Sequence, residues 1–420
     1  MIKLTNVFLF FIILAVVGCT ASNSSNTPQN IDSTNTIAVK AVPGITGNII
    51  CDNNAKYSYK IYLPSSYTSS KKFALVMMFD AHKRSKLPLK LYNKLADKYQ
   101  YILVCSDQAE NGLNIEEYRS IGNAILTDVF SKFSVDTNEV YTCGFSGGAR
   151  VAADFAIYNT HVKSVIMNSA GFDPLMFNNK QINLVGLGGI DDFNLFEMYQ
   201  SFQGIFYNKV HQPSLFLMFN GKHDWAPEIS MDLAFDFIFS KTQKNNNTAN
   251  EADEEFARIT QELKPTFQEE NILRNVYIDK LMNIIDIEWW TKEVNSINAK
   301  SNVCSGDKKA MYNRVLGILS LYCYSNTQAA IKSEQIDKAV YFSKLYQLID
   351  PLNAEWAYLQ ALIAAKKNEK NACLNLLETA AQLKFNDRAR MTNQPEFSRF
   401  RNDSKFVQIT NTIVADTANN

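Results

Sequence analysis

The chain has no surplus of either charge: its 420 residues carry 42 Lys and Arg against 42 Asp and Glu. Nucleic-acid binding usually demands a basic excess, so no nucleic-acid partner is expected. Histidine is scarce, with four in the whole chain, which leaves few side chains able to act as a catalytic base. The seven Cys form no CxxC pair and no Cys/His cluster with zinc-ligand spacing, so a zinc centre of that kind is excluded. The apolar run Val7 to Val17 is too short to span a bilayer by itself. What remains is an ordinary globular composition, 46% hydrophobic and 20% charged, in a length that accommodates one to three domains.

The first 19 residues read as a targeting segment. Lys3 supplies a positive start, the apolar run follows, and it ends in Val16-Val17-Gly18-Cys19. That ending resembles the bacterial lipobox, which implies lipidation of Cys19 and attachment to a membrane in the cell envelope. No Asp follows Cys19; in a two-membrane bacterium this pattern points to the outer membrane. Residues 20–45 begin with a Ser-, Asn- and Thr-rich stretch that buries too little apolar surface to fold, and read as a tether. Of the six other Cys, Cys105 and Cys143 fall in expected buried strands, while Cys304 and Cys323 are candidates for pairing.

Residues 46–240 alternate between strand and helix patterns. Tyr57 to Leu63 alternates as a half-buried strand. Phe73 to Phe79 (FALVMMF) and Tyr101 to Cys105 (YILVC) are continuous apolar runs, as strands covered on both faces require. Val140 to Cys143, Ser164 to Met167, Ile182 to Leu187 and Ser214 to Phe219 continue the series, with helical stretches such as Ile115 to Phe133 between them. The expected fold is α/β, a doubly wound and mostly parallel sheet. Residues 241–255 are polar and Asn-rich and read as a linker. Residues 256–420 show amphipathic helices only. Within them, Ala339 and Ala372 sit 33 apart in similar surroundings, which resembles degenerate tetratricopeptide repeats, although Tyr346 and Thr379 stand where that family prefers Ala. Such a module offers a surface for a protein partner and no chemistry of its own.

Gly144-Phe145-Ser146-Gly147-Gly148 follows the strand Val140 to Cys143 and opens a helix. This is G-x-S-x-G in the strand–turn–helix setting that projects a nucleophile from a sheet edge, with the Gly147 N–H aimed at a developing oxyanion. From this motif onward the region resembles the α/β-hydrolases, nearest to polyhydroxybutyrate-depolymerase-like and feruloyl-esterase-like serine esterases. The resemblance covers residues 50–240. It implies the order Ser, acid, His, with the His after the last strand. His161 and His211 lie at the wrong end of their strands and His82 precedes the Ser, which leaves His223. The run Gly221-Lys222-His223-Asp224-Trp225-Ala226-Pro227 is similar to the family's G-x-H-x-W-x-P loop. Gly189-Ile190-Asp191-Asp192 resembles its G-x-x-D loop and favours Asp192 as the acid, with Asp191 open. Gly221 to Asp224 also fits G-x-x-D, but no His follows, so Asp224 as acid would imply a dead enzyme.

The second oxyanion donor is expected in Asp80-Ala81-His82-Lys83, from the His82 or Lys83 N–H. Lys83 departs from the family, which has Gly there. The resemblance implies hydrolysis of a small-molecule or polymeric carboxylic ester through an acyl-enzyme, without cofactor or metal. Two other readings stay open: an inactive hydrolase-fold lipoprotein that binds a partner through its helical repeats, and a serine peptidase.

Overall fold

The computed structural model describes residues 42–177, 180–207, 213–242, 247–284 and 286–413. Cys19, the targeting segment and most of the expected tether therefore lie outside the described residues. Eight strands form one sheet: β1 (Gly44–Cys51), β2 (Asn54–Leu63), β3 (Phe73–Asp80), β4 (Tyr101–Ser106), β5 (Val135–Phe145), β6 (Val162–Asn168), β7 (Asn183–Gly189) and β8 (Ser214–Phe219). Their spatial order is β1-β2-β4-β3-β5-β6-β7-β8. The pairs β1–β2 and β2–β4 are antiparallel and the rest are parallel. This is the expected α/β arrangement, a mostly parallel sheet. Sequence patterning missed β1, an edge strand in which only Ile49 and Cys51 are buried; it starts inside the stretch expected as tether.

The apolar run of β3 explains the two layers. Leu75, Met77 and Phe79 face one hydrophobic core, and Val76 and Met78 face another. On the first face pack α2 (Ile115–Lys132), α3 (Gly147–Tyr158) and α4 (Leu195–Tyr207), through Ile125, Ala152 and Met198. On the second pack α1 (Lys86–Tyr99) and α5 (Glu228–Thr242), through Tyr92 and Phe235. Burial at roughly 25 cal/mol per Å2 of apolar surface on both faces is what holds a central strand of this composition in place.

Among the described residues beyond α5 there are only helices: α6 (Asn247–Met282), α7 (Ile287–Val303), α8 (Gly306–Lys332), α9 (Ile336–Ile349), α10 (Ala354–Lys366), α11 (Lys370–Gln382), α12 (Arg388–Asn393) and α13 (Ser404–Thr412). They share a core that includes Trp290, Leu319, Tyr358 and Phe397. Two expectations change here. The polar run 241–255 is largely helical, because α5 continues to Thr242 and α6 begins at Asn247. Nor does 256 divide the cores: Leu263 and Phe267 of α6 belong to the sheet's core, whereas Tyr277 and Leu281 of the same helix belong to the helical one. The internal spacing is also offset by one residue. Helix α9 begins at Ile336 and α11 at Lys370, α10 at Ala354 and α12 at Arg388, the same offset of 34 twice. Buried Ala339 is matched in burial by Cys373, and Ala372 is exposed.

Candidate active site

Ser146 sits between β5 and α3 with φ 54° and ψ −123°. A non-glycine residue in this region costs on the order of 1–3 kcal/mol and persists only where its surroundings enforce it. The neighbouring glycines show how. A Cβ at Gly144 would stand 2.1 Å from the Gly148 carbonyl oxygen, and a Cβ at Gly148 would stand 2.1 Å from that of Phe79. The turn thus presses against itself and against β3, and the Ser146 N–H is tied to the Asn168 carbonyl of β6 at 2.9 Å.

The loop after β8 brings His223 to this serine: Nε2 lies 2.9 Å from Ser146 Oγ. The loop after β7 brings Asp192, whose Oδ1 lies 2.9 Å from His223 Nδ1. Asp192 is fully buried. Its Oδ1 also accepts the Asn194 N–H at 2.8 Å, and its Oδ2 has no hydrogen-bond partner among the described residues. The imidazole packs against two aromatic rings, Phe193 (centroids 4.2 Å apart) and Phe145 (4.9 Å), which restrict its movement. The other two carboxylates considered from sequence point elsewhere. Asp191 accepts from Asn313 Nδ2 at 3.0 Å, and Asp224 caps its own turn by accepting the Trp225 N–H at 2.8 Å. His161 Nδ1 donates to the Thr137 carbonyl at 2.8 Å, and His211 lies outside the described residues.

The expected oxyanion loop is differently built. Lys83 adopts φ 60° despite its side chain, and Nζ reaches Glu110 at 2.7 Å. Its N–H donates to the carbonyls of Asp80 and Ala109, both at 3.2 Å. The His82 N–H donates to Asp80 Oδ1 at 2.8 Å. Both expected donors are therefore already engaged, by Asp80 and, for Lys83, also by Ala109. The Gly147 N–H lies in the first turn of α3, where helical N–H groups have no acceptor within the helix and the helix dipole favours negative charge.

Asp80 is the residue that sequence reasoning passed over. It is fully buried at the end of β3. Arg84 donates to it through Nε at 3.2 Å and Nη2 at 3.0 Å, and Trp225 Nε1 donates at 2.7 Å. One carboxylate thus joins the loop after β3 to the loop that carries His223. Burial pushes its acidity toward weaker, but the Arg84 bonds and charge, with Trp225 and the His82 N–H, outweigh this and hold it below its ordinary value. His82 is held below its ordinary value by burial and by the Arg84 charge, with Asp80 opposing. Its position after an apolar strand, where the resembling family has an oxyanion loop, was the available signal for Asp80.

Beside His223 opens a cavity of about 1060 Å3. Arg84, Phe193 and Lys222 line it from the sheet side, and Asn313, Tyr324 and Arg390 from the helical side. The helices therefore form a wall of the site. The six described Cys are all free, Cys304 and Cys323 included. Burial pushes the pKa of Cys105 and Cys143 up, well out of the range of a neutral-pH nucleophile. Among the described residues no cluster of three or more His, Cys, Asp or Glu could hold a metal ion, and no helix is long and apolar enough to cross a membrane.

No protein-family profile and no curated protein matches the chain. Solved structures do. A ferulic acid esterase is 15% identical, with 46% of this chain and 96% of that one covered and a TM-score of 0.39. A dienelactone hydrolase-like promiscuous phosphotriesterase from metagenomic libraries is 13% identical, over 46% of this chain and 98% of that one, at 0.37. Porphyromonas gingivalis dipeptidyl peptidase 4 is 15% identical over 47% of this chain, at 0.38, and there the chain spans only 35% of the other protein's length. At these identities the likeness concerns the fold alone.

Proposed function

We propose that the chain is a serine hydrolase that cleaves a carboxylic ester through an acyl-enzyme. The observation that carries this reading is the continuous relay Ser146 Oγ–His223 Nε2 and His223 Nδ1–Asp192 Oδ1, at 2.9 Å each, anchored on a serine in a strained turn. Ser146 Oγ attacks the ester carbonyl carbon while His223 Nε2 takes its proton. The Gly147 N–H stabilises the resulting oxyanion. Collapse of the tetrahedral intermediate expels the alcohol, which receives the proton from His223. Water, deprotonated by the same nitrogen, then releases the acid and restores Ser146. Asp192 holds the Nδ1 proton in place and stabilises the imidazolium that forms at each step. No residue in this sequence of steps calls for a cofactor.

The helical repeats fit a tetratricopeptide-like module, by their 34-residue offset, and are proposed to serve binding, whether of the substrate's distal part or of a protein partner. Cys19 is proposed as the lipid attachment point in the cell envelope.

The test is covalent labelling of the full chain with a fluorophosphonate, beside turnover of a panel of short-chain and aryl esters. Labelling that disappears in Ser146→Ala, together with ester turnover, is the expected result. Absence of both in the folded wild type would replace the enzyme with a binding protein, and labelling with turnover of peptides alone would make it a peptidase.

A further inference from the structure

Three charged residues of the helical region converge on the loop that carries Asp192. Glu270 of α6 is fully buried, and Arg274 of α6 and Arg314 of α8 are nearly so. Arg274 reaches Glu270 Oε1 through Nε at 2.9 Å and Nη2 at 2.6 Å. Arg314 reaches Oε2 through Nε at 2.9 Å and Nη2 at 2.6 Å. Each guanidinium then spends a further contact on the same four-residue stretch: Arg314 Nη1 donates to the Ile190 carbonyl and Arg274 Nη2 to the Phe193 carbonyl, both at 2.7 Å. These two carbonyls bracket Asp191 and Asp192. Between them, Asn313 Nδ2 holds the Asp191 carboxylate. Helix α8 also comes close enough that a Cβ on Gly317 would stand 3.1 Å from the Phe193 Cβ, and the Phe193 ring packs against His223 with centroids 4.2 Å apart.

A buried ion cluster is weak evidence for stability, because desolvation offsets much of its attraction. Its distinctive property is direction: a guanidinium offers donors in a rigid planar fork and fixes two acceptors relative to each other. Here the fixed pair is a carboxylate of one region and a main-chain carbonyl of the loop beside the proposed base. Resting on the triad reading above, we propose that Glu270, Arg274 and Arg314 are positioning residues for the catalytic carboxylate, so that the helical region sets the geometry of the hydrolytic centre as well as one wall of its cavity.

The test uses the full chain with Arg314→Leu, which removes the Ile190 contact, and with Trp290→Phe as a control. Trp290 is fully buried in the helical core and bonds Tyr341, away from the loop. For each we would measure kcat and KM on a small aryl ester, the fluorophosphonate labelling rate, the melting temperature, and the proton resonance of the His223–Asp192 hydrogen bond. Displacement of a reacting group by about 1 Å costs on the order of a hundredfold. Arg314→Leu should therefore lower kcat and labelling by about ten- to a hundredfold with KM within about twofold, and shift or broaden the bridging proton. Trp290→Phe should lower the melting temperature and leave kcat in place. Wild-type kcat in Arg314→Leu, or an equal loss in Trp290→Phe at matched loss of melting temperature, overturns the proposal. Should Arg314→Leu fail to fold, Arg314→Lys is read by the same criteria, since an ammonium cannot bridge Glu270 and the Ile190 carbonyl as a fork does. If wild type neither turns over esters nor labels, it is the hydrolase reading that fails, and an unaltered bridging proton in Arg314→Leu would still reject the clamp.

Discussion

Alanine at each glycine of the serine turn separates steric necessity from tolerance, and the separation can be worked out atom by atom. At Gly148 the added Cβ would lie 2.1 Å from the Phe79 carbonyl oxygen, against an ordinary contact of at least 3.4 Å. The obstacle is main chain in β3, which is paired on both sides with β4 and β5, so it is the serine turn that must move, by more than about 1 Å. A displacement of that size costs roughly a hundredfold in turnover and about 1–3 kcal/mol of overpacking, or several degrees of melting temperature in a chain this long. At Gly144 the obstacle is also main chain, the Gly148 carbonyl at 2.1 Å, and the effect should be similar. At Gly147 the nearest atom is Asn111 Oδ1 at 2.0 Å, the far end of an exposed side chain that can swing aside. Gly147→Ala keeps its N–H and should stay within about tenfold of wild type. The assay is kcat/KM on an aryl ester with melting curves on the same preparations. Wild-type turnover and melting in Gly148→Ala, or a loss in Gly147→Ala as large as in Gly148→Ala, would refute the reasoning.

Ser146→Ala and His223→Ala should each cut turnover on the order of a thousandfold or more, with the double variant little worse. Among the acids, Asp192→Asn should be impaired by up to about ten-thousandfold through the wrong imidazole tautomer, while Asp224→Asn, whose carboxylate only caps its own turn, should keep most activity; parallel kinetics that reverse this order would reassign the acid. Asp80→Asn should lower stability by about 2 kcal/mol at neutral pH, by weakening the bonds from Arg84 and Trp225. Because Asp80 is held below its ordinary value, its contribution is complete above about pH 5 and disappears as pH falls through its folded-state value. Urea titrations across pH 3–7 should show the gap between wild type and variant closing toward acid, and a gap that widens instead would be fatal to this account. Cys19→Ser should move the protein from membrane to soluble fractions, and continued partition with membranes would dispose of the lipid anchor.

Most of the sheet was legible because strands buried on both faces must be apolar throughout, as Phe73 to Phe79 and Tyr101 to Cys105 are. Strand β1 escaped because an edge strand with two buried residues has no such signature. The polar run after α5 misled because polarity was read as a break. It contains no Gly or Pro, and its Ala, Glu and Lys are good helix formers. Ser146, His223 and Asp192 could be located because strand ends and chain order confine them to three loops. Asp80 and the Glu270 cluster could not. Their partners lie far along the chain, as Trp225 is from Asp80 and Ile190 from Arg314, and a contact at that separation leaves no local pattern.

Helix α6, 36 residues and roughly 54 Å long, has a consequence for how such a protein can change over evolutionary time. Leu263 and Phe267 fill the sheet's core, and Tyr277 and Leu281, about three to five turns on, fill the other. A genetic crossover within this stretch would leave each parent's core missing part of its own lining. The two halves are therefore not exchangeable cassettes, and a change of partner or substrate must come through point substitution on the cavity walls or through replacement of the repeats beyond α8.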